Sequence, residues 1–150
     1  MNIVILGCGR VGSTLARSMY KDGHQVTVVD MVNESFRRLG TKFKGSRVVG
    51  NGMDEDVLRR AGIETCDVFV AVSPGDNRNI MAAQIAKTVY SVPTVIARLN
   101  DPIRADTYRS LGIITFCGTT LFSGLMRDFI NNDSWDLPKD YNQEYLSLDA

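Results

Sequence analysis

The chain has 150 residues, 44% of them hydrophobic, with 17 Lys and Arg set against 17 Asp and Glu. A single domain of that length buries roughly 70% of the surface its unfolded chain exposes, so it needs no disulfide or metal to hold it. A net charge of zero, with both signs spread along the sequence, excludes the electrostatic footprint of a nucleic-acid or anionic-membrane binder.

Strands are expected near 2–6, 25–30, 46–49, 67–72, 94–98 and 113–116, and helices near 11–22, 33–43, 54–61, 77–90, 103–111 and 119–131. The first strand, Ile3-Val4-Ile5-Leu6, runs directly into Gly7-Cys8-Gly9-Arg10-Val11-Gly12 and then into the first helix. Strand, glycine turn and helix in that order suit a dinucleotide-binding loop. Gly7 serves the tight turn, Gly9 the close approach of backbone to a pyrophosphate, and Gly12 the packing of helix on strand. The free N–H groups of the helix N-terminus then face the phosphates.

His24, the only histidine, sits in the turn before the second strand, at the amino edge of the sheet, and is expected to pack there rather than to catalyse. That strand, Gln25-Val26-Thr27-Val28-Val29, ends in Asp30, eighteen residues after Gly12. The offset is close to the ~20 expected of a ribose-binding acid. A carboxylate there accepts both ribose hydroxyls and repels a 2′-phosphate. Met31, beside it, joins the expected cofactor-binding residues.

Each later strand also ends in polar or glycine residues: Gly50-Asn51-Gly52 after the third, Ser73-Pro74-Gly75-Asp76 after the fourth, and Arg98 closing the fifth. Alternating strands and helices predict an α/β domain, a Rossmann-like doubly wound parallel sheet of six strands in the order 3-2-1-4-5-6 with helices on both faces. Its ligand crevice would lie at the carboxyl ends of strands 1 and 4.

In the last helix Leu121, Phe122, Leu125, Met126, Phe129 and Ile130 form a wide apolar stripe of helical period. The stripe either covers this domain's own sheet or meets another subunit. Residues 134–150 are expected as an extension or linker beyond a domain of residues 1–133, with Tyr145-Leu146-Ser147-Leu148 resembling the start of a strand. Cys8, Cys66 and Cys117 are odd in number and lack metal-ligand spacing. Free core thiols of a reducing cytoplasm are the expectation, and the first residues enter a core strand without a charged leader. No apolar run approaches the ~18 residues of a membrane span.

On these residues the sequence resembles the TrkA-N family, also known as KTN or RCK N-terminal domains, which regulate potassium transporters and channels. The resemblance extends from Met1 to about Ile130. It rests on the Gly7–Gly12 loop with its internal arginine, Val28-Val29-Asp30, Val49-Gly50-Asn51-Gly52 followed by Asp54 and Leu58, Ala61-Gly62-Ile63, Cys66-Asp67, Asp76 with Asn79, Ala97-Arg98 and Leu111-Gly112-Ile113. It implies a cytoplasmic, non-enzymatic domain that binds NAD(H), AMP, ADP or ATP and alters an oligomeric ring gating a membrane potassium transporter or channel. Carried over, Gly7 to Gly12 hold phosphates with Arg10 adding charge, and Asp30 holds the ribose. Asn51 and Gly52 lie along the adenine, Ser73 lines the second half of the crevice, and Arg98 faces phosphate or the subunit interface. Asn51 stands where the family usually has aspartate, so its amide oxygen must make that contact. Val32 replaces a second acidic residue, leaving ribose recognition to Asp30. Many relatives continue into a smaller C-terminal lobe, whose linker and first strand Tyr145 to Ala150 would match.

Two other readings compete. An NAD-dependent oxidoreductase needs a general acid or base beside the nicotinamide and a substrate-holding domain or long loops; neither is visible here. A purely structural dimerisation module with a vestigial glycine loop has no use for Arg10 and Asp30 together.

Overall fold

The computed structural model describes residues 1–131. Six parallel strands, β1 (Asn2–Leu6), β2 (Gln25–Asp30), β3 (Ser46–Val49), β4 (Val68–Ala71), β5 (Thr94–Leu99) and β6 (Ile114–Cys117), form one sheet in the order β3-β2-β1-β4-β5-β6. The connections are α1 (Arg10–Lys21), a 3-10 helix at Asn33–Leu39, α2 (Glu55–Arg60), α3 (Asp76–Gln84) and α4 (Pro102–Ser110), with α5 (Gly118–Ile130) after β6.

Both faces of the central strands are apolar, as a parallel sheet covered on both sides requires. Ile3, Ile5, Val28, Val70 and Val72 pack with Ala16 of α1 and with Phe36, Leu39 and Phe43. Val4, Leu6, Val29, Phe69 and Ala71 pack with Leu58 of α2 and with Ala82, Ala83 and Ala86. Alternate residues of one strand thus feed two separate cores, the consequence of a period of two.

Two elements depart from the periodicity, and α5 settles an alternative that the sequence left open. The helix expected over 33–43 is a 3-10 helix of seven residues that stops at Gly40, whose φ of 70° ends it, and buries Phe36 and Leu39 three residues apart. That spacing eclipses both side chains on one edge of a 3-10 turn. The helix expected over 77–90 changes to a π-helical turn at Ile85–Val89. The stripe of α5 does not lie on this domain's own sheet, since α5 has no buried residue. Residues 134–150, with the strand start expected at Tyr145–Leu148, lie outside the described residues.

Candidate nucleotide-binding site

The sheet's strand order reverses between β1 and β4, and the expected site residues gather at the carboxyl ends of the strands around that point. Gly7 leaves β1 with φ 105°. A Cβ on it would stand 2.7 Å from the Ser73 amide nitrogen, so the loop presses on the end of β4. A Cβ on Gly12 would come within van der Waals overlap of the Gly7 carbonyl oxygen and 3.2 Å from Val72 Cγ2. These two glycines are therefore demanded by the fold itself.

Gly9 is different. It is exposed, it precedes α1 in extended backbone with φ −76°, and a Cβ built on it meets nothing within 4 Å. The fold gives no reason for a glycine there. Arg10 and Val11 follow, both exposed, at the start of α1.

Asp30 ends β2 beside the loop. Its Oδ2 accepts from the Cys8 amide at 2.7 Å, and its Oδ1 accepts from the Val32 amide at 2.9 Å. The carboxylate thus holds the loop in place, and each oxygen retains a further lone pair. Cys8 itself is fully buried, its Sγ donating to the Ser35 carbonyl at 3.3 Å. Burial, reinforced by the Asp30 charge, pushes its thiol up to about 11 against the opposing pull of Arg38 and Arg47. It is inert packing rather than a nucleophile.

Past Asp30 the surface turns apolar. Met31, Val32, Val49 and Met53 are exposed around the ends of β2 and β3, where Asp30 pairs with Val49. Asn51 is half-buried among them, its Oδ1 accepting from the Met53 amide at 3.1 Å. The amide oxygen assigned to a ligand contact therefore already closes a turn. Gly52 is buried, and a Cβ on it would strike Leu6 Cδ1 at a separation too short for any carbon pair.

On the other side of the crevice Ser73 is buried, at 5% exposure, and its hydroxyl points into the protein. It donates to Asn79 Oδ1 at 2.7 Å, and the Ser73 amide donates to the same oxygen at 2.9 Å. Asn79 Nδ2 donates to the Ser73 carbonyl at 3.0 Å and to the Arg98 carbonyl at 2.8 Å. Asn79, 1% exposed, joins β4, β5 and α3 through one amide. Its position in the motif was visible in the sequence, but its work was not, because those partners lie up to nineteen residues away. Asp76 works similarly, accepting from the Asn100 and Asp101 amides.

Arg98 leaves the end of β5 half-buried. Its Nη2 donates to the Ser73 carbonyl at 3.2 Å, while its Nε is buried with no partner. His24 lies at the opposite, amino edge, its amide bonded to the Met19 carbonyl.

Set against known proteins, residues 3–117 match the family model described as the TrkA-N domain. The Trk system potassium uptake protein TrkA of Streptomyces coelicolor is 55% identical over 115 residues, which are 77% of this chain and 52% of that protein. A Trk system potassium uptake protein TrkA homolog of Methanothermobacter thermautotrophicus is 34% identical over 113 residues, 75% of this chain and 52% of that one. The chain thus spans about half the length of these relatives. Among solved structures, the TrkA-N domain of inner membrane protein ybaL from Escherichia coli superposes with a TM-score of 0.74 at 18% identity, over 85% of this chain and 95% of that one. GsuK bound to ADP gives 0.73 at 18% identity, over 89% and 34% of the two chains, and the GsuK channel bound to NAD gives 0.64 at 19%, over 76% and 21%. At such identities these structures establish the fold alone.

Proposed function

The chain belongs to the TrkA-N domain family, and on that premise we propose that it is a nucleotide-binding regulatory domain that controls potassium transport through a membrane partner. The observation that carries this reading is Gly9. Gly7 and Gly12 are needed for the fold, but Gly9 has open space where a Cβ would stand, so its glycine is explained by a ligand backbone or phosphate coming close. Around it the fit continues. The N-terminus of the twelve-residue α1 faces the same space, Asp30 keeps lone pairs for ribose hydroxyls, and exposed Met31, Val49 and Met53 offer an apolar bed for adenine.

The ligand is NAD(H) or an adenine nucleotide. Glycines 7, 9 and 12, Cys8, Arg10 and Val11 hold its phosphates, Asp30 and Met31 its ribose, and Asn51 and Gly52 the base. Ser73 shapes the crevice wall through its backbone, and Arg98 lies on the far side. The domain acts by binding, not by chemistry. Occupancy biases a homo-oligomer between two arrangements according to which one binds the nucleotide more tightly, and α5 carries the change across subunits to a potassium transporter or channel. No helix among the described residues is long and apolar enough to cross a membrane; in this reading the domain works at the inner face of the membrane through that partner.

The test separates stability from binding. Gly9→Ala keeps the unliganded melting temperature within the ~1 kcal/mol that a change at a helix N-cap carries, because the space is open and the backbone is extended. In the wild type, NAD, NADH, AMP, ADP or ATP at a hundred times its dissociation constant adds about 2.7 kcal/mol of stability. The variant loses that rise. Equal stabilisation of both proteins, or of neither, would refute the reading.

A further inference from the structure

Charge is balanced over the whole chain but not within each part of it. Residues 1–50 carry eight Lys and Arg against three Asp and Glu, and residues 37–47 hold five cations and no acid. Residues 132–150 reverse the sign, with five Asp and Glu against the single Lys139.

The fold gathers the cations at one edge of the sheet. Phe36, Leu39 and Phe43 are drawn into the core that α1 covers, which leaves Arg37, Arg38, Lys42 and Lys44 exposed around them. Arg47 follows on the edge strand β3, its guanidinium 5.3 Å from the centroid of the Phe43 ring and its Nη2 donating to the Phe43 carbonyl at 2.9 Å. The charges of Arg38 and Arg47 both act on the buried Cys8 thiol, so they stand around the same point. Arg37 has a counter-ion in Glu34. Among the described residues Arg38, Lys44 and Arg47 have no carboxylate within ion-pair distance.

We propose that this edge is a docking face for the acidic segment 132–150 of the same chain, with Asp136, Asp140 and Glu144 set against Arg38, Lys44 and Arg47. The reach is sufficient. The segment follows α5, which comes after β6 at the opposite edge, and five strand spacings of about 4.8 Å put the two edges about 24 Å apart. From Asn131 to Glu144 an extended chain covers about 43 Å at roughly 3.3 Å per residue. Exposed ion pairs are weak one at a time, but a tethered segment meets its own domain at a high effective concentration, and several pairs then form together. An external polyanion would have to displace that tethered competitor. The docking does not rest on the nucleotide reading.

Trp135, the only tryptophan of the chain, reports the contact. In the whole chain at 0.01 M salt, where charges act over about 30 Å, it is expected to resist quenching by acrylamide; at 1 M salt, where the range falls to about 3 Å, quenching should at least double. Arg38→Glu with Lys44→Glu should show the high-salt value already at low salt, as should Asp136→Lys with Asp140→Lys. All four changes together, which exchange the signs, should restore the shielding. Chymotrypsin cleavage after Tyr141 and Tyr145, read by mass spectrometry, should follow the same order, and circular dichroism checks that each variant is folded. If a reversed variant does not fold, the salt series on the wild type decides alone. Quenching and cleavage that ignore both salt and charge reversal overturn the proposal. So does shielding that fades on dilution, which would seat the segment on a second copy, or an unshielded wild type that sediments with phosphatidylglycerol vesicles, which would assign the face to a lipid surface.

Discussion

Asp30 and Cys8 are tied by a 2.7 Å hydrogen bond from the Cys8 amide to the Asp30 carboxylate, so the acid proposed to hold a ribose is also the peg on which the glycine loop hangs. Asp30→Ala strands a buried N–H, at a cost of about 1–3 kcal/mol. The unliganded protein should melt several degrees lower, while Asp30→Asn, which retains one acceptor, should melt closer to the wild type. Differential scanning calorimetry without nucleotide is the measurement. Equal melting temperatures for all three would mean that the loop holds itself.

Asn79 joins β4, β5 and α3 with four hydrogen bonds. Asn79→Ala leaves several of those groups buried and unpaired, and is expected to cost about 2–4 kcal/mol. Asn79→Asp should be at least as damaging, because it turns two donors into an anion facing the carbonyls of Ser73 and Arg98. Urea unfolding followed by circular dichroism reads both, and midpoints at the wild-type value would remove Asn79 from the framework.

The exposed faces of α5 and β6 should meet a second copy. Phe122, Met126, Phe129 and Ile130 are each more than 60% exposed, and Ile114 and Phe116 stand uncovered on the edge strand. Phe122→Asp with Phe129→Asp should shift the protein toward monomer in light scattering and abolish any rise of melting temperature with protein concentration, the mark of mass action in an oligomer. An unchanged oligomer would rule out α5 as the contact.

Cys8 sets an alkaline limit. Its thiol is held neutral to about pH 11 in the fold, against an ordinary value of 9.0, so the unfolded chain releases that proton first. Stability present below pH 9 is therefore lost as the pH rises through about 11. Cys8→Ala should flatten that part of the stability curve, and at pH 8 the wild-type Cys8 should resist iodoacetamide until the protein is unfolded. Rapid labelling of the native protein at Cys8 would contradict the burial that causes the shift.

The strand pattern was legible because each strand in a doubly covered sheet is apolar and ends abruptly in glycine or a polar residue: β1, β2 and β3 fall at their expected residues, and the strand order follows from the alternation. The segment after β2 misled because Phe36 and Leu39 fit either a 3-10 turn or the start of an α-helix, and only Gly40 decides between them. In the site, the glycines and Asp30 are local signals fixed by spacing. Asn79 and the aim of Arg98 depend on carbonyls brought together only by the completed sheet. The inward turn of the Ser73 hydroxyl has the same origin, since its acceptor is on the next helix.

Leu6 and Gly52 share a single space: the leucine that closes β1 fills the volume that any side chain at 52 would occupy. Neither position is free to vary alone. Among natural sequences of this fold, a bulkier residue at the second place should come with a smaller one at the first. The floor beneath the exposed Met31, Val49 and Met53 would then be inherited as a pair, its depth set by strand and loop together.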